Sequence, residues 1–432
     1  MHSFSRRAHT LIPGGALTYS RGDDVLPVNA PAAFVRGKGS HVWDIDGREF
    51  IDWGMGINNV LIGHAEDVID DAAVAALREG QAFTRPSPLE LDAAEALLSF
   101  FPGMEMVKFS KNGSDPNSAA IRLARAITGR DMIAFDGSAP FLSIHDWFIG
   151  TTAMHAGVPG AIRALSAPFR YGDLASVERV FAEHPGQVAA VILEVCRERR
   201  PPPEFLPGVR ALCDREGALL IFDEVVTGFR YHINGAQALF GVVPDLMSVG
   251  KGMANGYALA ALLGRRAYME RGGTMHSFPR VFLLSTTNGP ERSGLAAGLA
   301  VMQFYRDHDV IGALAATGRA VRDGLAEVTA DAGIGAYLFF AGEFDNRPVL
   351  TCLDPRGSAS FEFRTLFLQE LLRSGVFMPW VCPSYRHTAN DIERTVEAFR
   401  AAVPVYVRAL TAGSTAGMVG GRPVKTVFRE FN

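Results

Sequence analysis

From about residue 105 to residue 263, the chain alternates short apolar runs with segments that have the periodicity of amphipathic helices. Each run is too short for a helix and is bounded by glycine, proline or charged residues. The runs are 188–193, 218–222, 245–249 and 259–263. Between the first two, the segment 207–216 is helical in pattern, and Gly217 follows it where a helix usually ends. Because strands that alternate with helices form parallel sheets with helices on both faces, an α/β fold with a mainly parallel sheet is predicted.

The segments on either side of this region have a different pattern. Residues 42–52 contain two short apolar runs around Asp46-Gly47, which is a strong signal for a β-hairpin. Residues 310–410 have charged amphipathic helices and a few strands, as is typical of a smaller α+β domain. We expect an N-terminal segment, a large α/β domain and a C-terminal small domain. Their expected bounds are 1–65, 66–308 and 309–432.

Composition and charge exclude several classes of protein. With 48% hydrophobic and 20% charged residues, the chain has the composition of a globular protein. Its 42 basic and 46 acidic residues leave a net charge of −4, and the basic residues are dispersed, which argues against nucleic acid as a partner. No secretory signal is visible, and the most apolar stretch, 253–263, is too short for a membrane span. We expect a cytoplasmic protein that binds small molecules and has no membrane partner.

The cysteines are few and far apart. They are Cys196, Cys213, Cys352 and Cys382. No C-x-x-C pair is present, so free thiols in a reducing compartment are expected rather than a disulfide framework or a metal site.

Two of the apolar runs end in residues that carry chemistry. The run 218–222 is followed by Asp223, and the run 245–249 is followed by Gly250-Lys251-Gly252. A carboxylate buried at a strand end costs several kcal/mol unless it is paired, so Asp223 is expected to have a cation or a strong donor as its partner. A structural salt bridge is the alternative. A lysine at a buried strand end forms a Schiff base when its pKa is lowered, whereas a surface charge in a turn is the alternative.

A third segment, 109–116, lies between a short strand and a helix. Ser114 or Asp115 is expected to cap this helix, and Pro116 suits its first turn. Glycine and serine at a helix N-terminus bind phosphate through backbone N–H groups, although ordinary capping is the alternative. Together the three segments indicate a phosphorylated cofactor at the helix start, with an acid facing its ring and a lysine bonded to its carbonyl.

Four motifs in order resemble those of the pyridoxal-phosphate aminotransferases of fold type I, class III, and are most similar to the glutamate-semialdehyde aminomutase-like branch. They are 112–114, 223–230, 248–252 and 286–291. The resemblance extends from Pro13-Gly14-Gly15 to Ala296-Ala297. It implies a large domain that binds pyridoxal 5'-phosphate on a seven-stranded sheet, a smaller α+β domain formed from both termini, and a homodimer with active sites at the subunit interface.

The resemblance also implies roles for single residues. Lys251 would hold the cofactor as a Schiff base and carry the proton between the substrate and the cofactor. Asp223 would keep the pyridine nitrogen protonated, so that the ring acts as an electron sink. Val225 would pack beneath the ring. Thr287 matches a threonine that reaches the phosphate of the neighbouring subunit's cofactor. The phosphate would be held by Asn112, Gly113 and Ser114.

Some positions depart from the family pattern. Phe141 lies where the family has tyrosine, so it retains an aromatic face for stacking on the cofactor but lacks the hydroxyl. His145 is expected to pair with Asp146 near the cofactor, or else to be an ordinary hydrogen-bonded core histidine. Glu194 matches an acid that proline usually follows, and here Val195 follows it. Its role is either to support the surroundings of Asp223 or to form a strand-end ion pair.

The expected activity is transfer of an amino group from an amino-acid donor to a keto or aldehyde acceptor through a ping-pong cycle. Residues 253–259 differ from the glycine-rich pattern of the aminomutases, so true aminomutase activity is an alternative rather than the expectation. The changes at 141–143 leave a catalytically impaired binding protein as a second alternative. Candidate substrate anchors are Tyr19, Ser20 and Arg21, with Arg85 second, because an arginine forks onto a carboxylate or phosphate. For the arginines, an exposed and solvated side chain is the alternative.

Overall fold

The computed structural model describes residues 2–138 and 141–431. The chain forms two compact units. The first contains the residues up to Glu66 together with Gly312–Arg429, and the second contains Asp67–Ile311. The described cysteines are buried, and none of them is part of a disulfide. No helix in the described part of the chain is long and apolar enough to cross a membrane.

The strands are short and are numbered along the chain. They are β1 (Phe34–Lys38), β2 (His41–Asp44), β3 (Glu49–Asp52), β4 (Met106–Ser110), β5 (Met132–Asp136), β6 (Ser166–Phe169), β7 (Val188–Glu194), β8 (Leu219–Glu224), β9 (Leu246–Val249), β10 (Ala260–Gly264), β11 (Leu338–Ala341), β12 (Val349–Cys352) and β13 (Val376–Phe377).

The helices range from single turns to α15 at the C-terminal end. They are α1 (Ser3–Leu11), α2 (Met55–Asn58), α3 (Asp67–Arg78), α4 (Pro88–Phe100), α5 (Ser114–Thr128), α6 (Asp146–Ile149), α7 (Gly160–Arg163), α8 (Leu174–Glu183), α9 (Phe205–Glu216), α10 (Gln237–Phe240), α11 (Arg266–Met269), α12 (Arg292–Asp307), α13 (Val310–Asp331), α14 (Phe361–Arg373) and α15 (Ala389–Ala412). Single turns of 3-10 helix are Pro13–Gly15, Tyr19–Arg21, Asp23–Val25, Lys251–Ala254 and Glu270–Gly272.

The second unit is built on a mixed sheet of seven strands, counted over the described residues, in the order β4-β10-β9-β8-β7-β5-β6. The strands from β9 to β6 pair in parallel, whereas β10 is antiparallel to both of its neighbours. Both β7 and β8 are buried along their whole length, as expected for strands that helices cover on both faces. The prediction of a mainly parallel, seven-stranded sheet flanked by helices is confirmed.

Local signals in the sequence explain how these elements begin and end. Gly217 adopts a φ of +66° and its N–H bonds back to the last turn of α9, so this helix ends where the sequence predicts, although it starts two residues before Pro207. Ser87 caps α4 in a capping box with Glu90, and Pro88 occupies the first helical position. Ser87 thus marks where α4 begins, and Gly217 directs the chain from the end of α9 into β8.

The first unit combines segments from both ends of the chain. Its larger sheet has the order β1-β2-β3-β13, in which β13 pairs in parallel with β3, and β11 pairs with β12. The predicted hairpin around Asp46-Gly47 is confirmed as β2 and β3. The core includes Trp53, whose Nε1 donates to Thr395 Oγ1 at 3.0 Å, together with buried aromatic residues of α14 and α15. The predicted smaller α+β domain formed from both termini is confirmed.

Candidate active site

Asp223 lies at the carboxyl end of β8, where the residue is 4% exposed. The strand register places it beside Glu194 on β7 and beside Ser248 on β9. Its Oδ1 accepts the backbone N–H of Val225 at 2.9 Å and the Ser248 hydroxyl at 3.4 Å. The partners of this acid are therefore uncharged donors, which is one of the two arrangements expected of a buried strand-end carboxylate.

The pKa of Asp223 is raised to about 7. Burial is the largest cause, and the negative charge of Glu194 adds to it. The N–H of Val225, a donor from Asn117 and the charge of Lys251 all act in the opposite direction. A carboxyl group whose pKa lies well above its usual range is typical of an acid at a reaction site.

Lys251 follows β9 at the same edge of the sheet and is half-buried. It begins a 3-10 turn, Lys251–Ala254, with a φ of +44°, in the left-handed region that residues other than glycine rarely adopt. Such strained backbone occurs preferentially where function requires it. Because the charge of Lys251 lowers the pKa of Asp223, the amine and the carboxylate act on each other in one site.

Two glycines meet the side chain of Val225, two residues after Asp223. A Cβ atom built on Gly113 would lie 2.7 Å from Val225 Cγ1, and one built on Gly250 would lie 3.5 Å from the same methyl group. Val225 therefore lies between the start of α5 and the turn that carries Lys251. The fold brings together the three segments that the sequence singled out, at the edge where ligands bind in open α/β sheets.

The start of α5 corrects one sequence expectation. Neither Ser114 nor Asp115 caps the helix through its side chain, because Gly113 occupies the N-cap position. Instead Asn112 Oδ1 accepts the backbone N–H groups of Ser114 and Asp115 at 3.0 and 3.2 Å. The reason is geometric: the helix begins one residue earlier than a side-chain cap from Ser114 requires. The Ser114 hydroxyl instead accepts the N–H of Ile144 at 3.1 Å.

Asn117 directly contacts Asp223, although the sequence motifs did not point to it. Its Nδ2 donates to Asp223 Oδ2 at 2.8 Å and to the carbonyl of Leu142 at 2.7 Å, and the side chain is fully buried. A signal was present, because Asn117 is a polar residue on the same helical face as the apolar Ala120 and Ala124. A polar residue among apolar ones on a buried face needs a hydrogen-bond partner.

Glu194 has features of both of its predicted roles. Its Oε2 lies 3.6 Å from Arg197 Nε, and Arg197 Nη1 lies 3.5 Å from Asp136 Oδ2 at the end of β5. Arg197 therefore lies between two strand-end carboxylates. The charge of Glu194 also raises the pKa of Asp223, so the same acid takes part in an ion pair and tunes its neighbour.

The segment that departs from the family pattern lies after β5. Phe141 is 44% exposed and contacts Phe148 edge-to-face with ring centroids 5.9 Å apart. Both expectations for His145 are corrected: it is exposed rather than part of the core, and its Nδ1 lies 2.7 Å from the Ser118 hydroxyl and 3.0 Å from the Ser143 hydroxyl instead of pairing with Asp146. Hydroxyl groups on α5 and on its own segment therefore orient this exposed imidazole.

An ion pair that the sequence did not reveal joins the segment before α5 to the N-terminus of α12. Lys111 Nζ lies 2.8 Å from Glu291 Oε2, and Glu291 caps α12. This cation, together with donors from Ser293, lowers the pKa of Glu291 to about 2 although burial opposes the change. Thr287 lies in the exposed turn that precedes α12.

The candidate substrate anchors are not brought together within one unit. Tyr19 and Arg21 form an exposed 3-10 turn in the first unit, where Arg21 lines a cavity of about 280 Å³ together with Asp23 and Arg422. Arg85 is exposed and belongs to the second unit, between α3 and α4.

Comparison with known proteins shows the class. Residues 24–336 match the family model described as aminotransferase class-III. The chain is 33% identical to 3-aminobutyryl-CoA aminotransferase of Cloacimonas acidaminovorans (strain Evry), over 92% of this chain and 95% of that protein. It is also 33% identical to glutamate-1-semialdehyde 2,1-aminomutase of Desulfatibacillum aliphaticivorans, over 91% and 96% of the two chains.

Solved structures agree. The fold is similar to that of the Sphingopyxis sp. MTA144 FumI protein in its PLP internal aldimine form, with a TM-score of 0.85, 28% identity and 98% coverage of each chain. It is also similar to an omega-transaminase from Sphaerobacter thermophilus, with a TM-score of 0.83, 26% identity and coverage of 94% and 97%. The architecture is that of a pyridoxal-phosphate enzyme of fold type I. The chain belongs to the class-III aminotransferases, and its cofactor is pyridoxal 5'-phosphate.

The residues at the sheet edge fit this cofactor. Asp223 offers a buried carboxylate for a ring nitrogen, and Lys251 offers a primary amine for an aldehyde. The N-terminus of α5 suits a phosphate because the positive end of the helix dipole attracts anions. Gly113 and Gly250 leave beside Val225 the space that a Cβ would fill.

Proposed function

We propose that Lys251 holds pyridoxal phosphate covalently and that Asp223, Val225 and the start of α5 orient it, so that the enzyme transfers amino groups in a ping-pong cycle. The observation that supports this most strongly is the meeting of Gly113, Val225 and Gly250 beside a buried acid with a raised pKa. The second unit, Asp67–Ile311, is then the cofactor-binding domain.

When bound, the cofactor supplies an aldehyde that links to amines and a pyridine ring that withdraws electrons from the substrate Cα. Lys251 Nζ would hold the cofactor through its aldehyde carbon, and as a free amine it would move the proton at the substrate Cα. Asp223 holds a proton at the pyridine nitrogen. Gly113 and Ser114 at the start of α5, with the Asn112 side chain beside them, would hold the phosphate, and Phe141 would offer its aromatic face to the ring.

We further propose a homodimer in which Thr287 reaches the phosphate at the partner's site. Met275, Phe278 and Phe282, which precede Thr287 in the chain, are 85%, 60% and 66% exposed. Apolar side chains exposed in one stretch are typical of a surface that another chain covers. Light scattering after gel filtration tests this: a monomer at micromolar concentration contradicts it. The described cysteines are buried and form no disulfide, which supports a reducing compartment such as the cytoplasm.

The substrates are an amino-acid donor and a keto or aldehyde acceptor. Anions among them are proposed to bind Arg21 or Arg85, with Tyr19 and His145 as further contacts. One relative carries the name of an aminobutyryl-CoA aminotransferase, so amines beyond common α-amino acids belong in the donor screen.

Aminomutase activity is a second candidate because a relative of equal identity carries that name. Residues 253–259 argue against it, since they lack the glycine-rich pattern expected of aminomutases. The two functions differ in one assay. If the protein loaded with pyridoxamine phosphate isomerises an amino aldehyde without any keto-acid acceptor, the transaminase proposal is overturned.

The central claim is tested by fixing the cofactor with borohydride and mapping the modified peptide by mass spectrometry. We expect a yellow protein with the cofactor on Lys251, and no fixed cofactor in Lys251→Ala. Lys108→Ala is the matched control, because Lys108 is an exposed lysine on β4. Fixation on another lysine, or none in the wild-type protein, contradicts the proposal.

A further inference from the structure

Asn117 is the polar member of an otherwise apolar helix face. It lies in the first turn of α5 and is fully buried. Residues three, four and seven positions further on, Ala120, Ile121 and Ala124, are buried on the same face. Burying an amide costs free energy unless hydrogen bonds replace its water, so its partners define its role.

The amide of Asn117 is held in one orientation. Nδ2 donates to Asp223 Oδ2 at 2.8 Å and to the Leu142 carbonyl at 2.7 Å, which uses both of its hydrogens. Because both partners are acceptors, the opposite orientation would place Oδ1 against two oxygen atoms. The Leu142 carbonyl therefore keeps Nδ2 directed at the acid.

Asn117 donates to a different carboxylate oxygen of Asp223 than Val225 and Ser248 do. Val225 and Ser248 donate to Oδ1, whereas Asn117 donates to Oδ2. The carboxylate is thus held by donors from α5, from β9 and from the turn after β8. A carboxylate oxygen accepts two hydrogen bonds, so Oδ2 retains one further acceptor position.

We propose that Asn117 is a positioning residue of this enzyme: its amide keeps Asp223 ionised and fixes Oδ2 as the acceptor for the pyridine nitrogen of the cofactor. The inference rests on the function proposed above, in which Asp223 holds the proton of that nitrogen. Asn117 reaches the cofactor through Asp223.

The electrostatics of the site make this donor important. Burial and the charge of Glu194 raise the pKa of Asp223 to about 7, so ionisation at neutral pH depends on the groups that stabilise the carboxylate. A hydrogen bond to a charged group corresponds to about a 10- to 100-fold change in an ionisation equilibrium. Loss of the Asn117 donor is expected to lower the acid dissociation constant of Asp223 by that factor.

Carbon-13 NMR of the full chain, labelled at the γ-carboxyl of aspartate, measures this directly. Ordinary aspartates titrate near pH 4, so Asp223 is resolved near pH 7 and is assigned by its loss in Asp223→Asn. Glu224, which also has a pKa of about 7, carries no label. We expect Asn117→Leu to move the titration midpoint of Asp223 to higher pH, by the amount that corresponds to a fall of about 10- to 100-fold in its acid dissociation constant. An unchanged midpoint overturns the proposal.

A second variant keeps the test decisive if Asn117→Leu does not fold. Asn117→Asp preserves the size of the side chain and places a second carboxyl group beside Asp223, so the highest midpoint should rise further because the two groups share one site. Ser248→Ala is the matched control. It removes a longer contact, 3.4 Å, to the other oxygen and should shift the midpoint less than Asn117→Leu.

Cofactor affinity separates positioning from a purely structural role. Pyridoxal phosphate is titrated into the wild-type and Asn117→Leu proteins from pH 6 to pH 8. If the variant binds the cofactor more weakly because Asp223 has lost its charge, the difference in affinity should shrink as pH rises, since Asp223 then ionises in the variant as well. A difference that stays constant with pH overturns the proposal. If borohydride fixes the cofactor on Lys251 but the midpoint does not move, this inference fails and the proposed function stands. If the midpoint moves but no cofactor is fixed, the ionising role of Asn117 stands and the proposed function fails.

Discussion

Replacing Gly113 by alanine tests whether the start of α5 and Val225 form one side of the cofactor site. The new Cβ would lie 2.7 Å from Val225 Cγ1 and 2.8 Å from Cγ2, closer than the 3.0 Å that real Cβ contacts keep. Gly113 has a φ of −70° and a ψ of −18°, which alanine adopts without strain. The substitution therefore changes the contact and leaves the backbone conformation available.

Val225 does not escape the new methyl group by rotating its side chain. Its two methyl groups occupy two of the three staggered positions on Cβ, and both lie near residue 113. Every rotamer leaves at least one methyl there, so Val225 or α5 must move. Overpacking of this kind costs about 1–3 kcal/mol, which corresponds to a loss of about 5- to 150-fold in cofactor affinity if the site absorbs the displacement.

The assay is a pyridoxal-phosphate titration followed by absorbance, with urea unfolding of the cofactor-free protein beside it. Gly160→Ala is the matched control, because a Cβ there meets no atom within 4 Å. Gly113→Ala should also be made in Val225→Ala, where the clashing methyl groups are gone. Gly113→Ala should there lower the affinity for pyridoxal phosphate much less than it does in the wild-type protein. If Gly113→Ala binds like the wild-type protein, or if it lowers the affinity equally in Val225→Ala, the contact does not have this role.

Two further predictions concern titratable groups. The folded-state pKa values of Asp223 and Glu224 are raised from about 4 to about 7, so the stability they contribute is fully present below pH 4 and is lost as pH rises through 7. Urea unfolding should show that the wild-type protein loses stability, on the order of a few kcal/mol, between pH 5 and pH 8. The loss should be smaller in Asp223→Asn and in Glu224→Gln. If stability falls with pH equally steeply in the variants and the wild-type protein, this prediction is wrong. The pKa of Glu291 is depressed to about 2, so its contribution is present above its usual pKa and is lost as pH falls through about 2. Lys111→Met should destabilise the protein by roughly 1–3 kcal/mol at pH 7. In a double-mutant cycle, Glu291→Gln should add little to this loss of stability. Additive effects would show that the two residues are not coupled.

Much of the fold follows from patterns within a few residues of each other. The apolar runs before Asp223 and Lys251 predict buried strands, and the strands are found within one or two residues of those positions. Gly217 marks the end of α9 because its left-handed conformation suits glycine. These features depend on backbone conformation and hydrophobic periodicity, which a single segment carries by itself.

The helix start at 112–115 shows where local patterns fail. Asparagine, serine and aspartate are all good caps, so composition does not choose among Asn112, Ser114 and Asp115. The choice depends on the residue at which α5 begins, which its packing against the sheet sets. His145 is a similar case. The hydroxyl nearest to its Nδ1 belongs to Ser118 on α5, which is 27 positions away in the chain, so the local sequence does not reveal this partner.

Residue types at strand ends identify an acid, a lysine and a helix start from the sequence alone, because motifs encode which groups are present. Their distances and protonation depend on contacts between residues far apart in the chain. Asn117 and Asp223 are 106 positions apart, and they meet because α5 packs on the sheet that contains β8. The pKa of Asp223 likewise depends on burial and on Glu194 in the neighbouring strand, which arise once the sheet has closed around the acid.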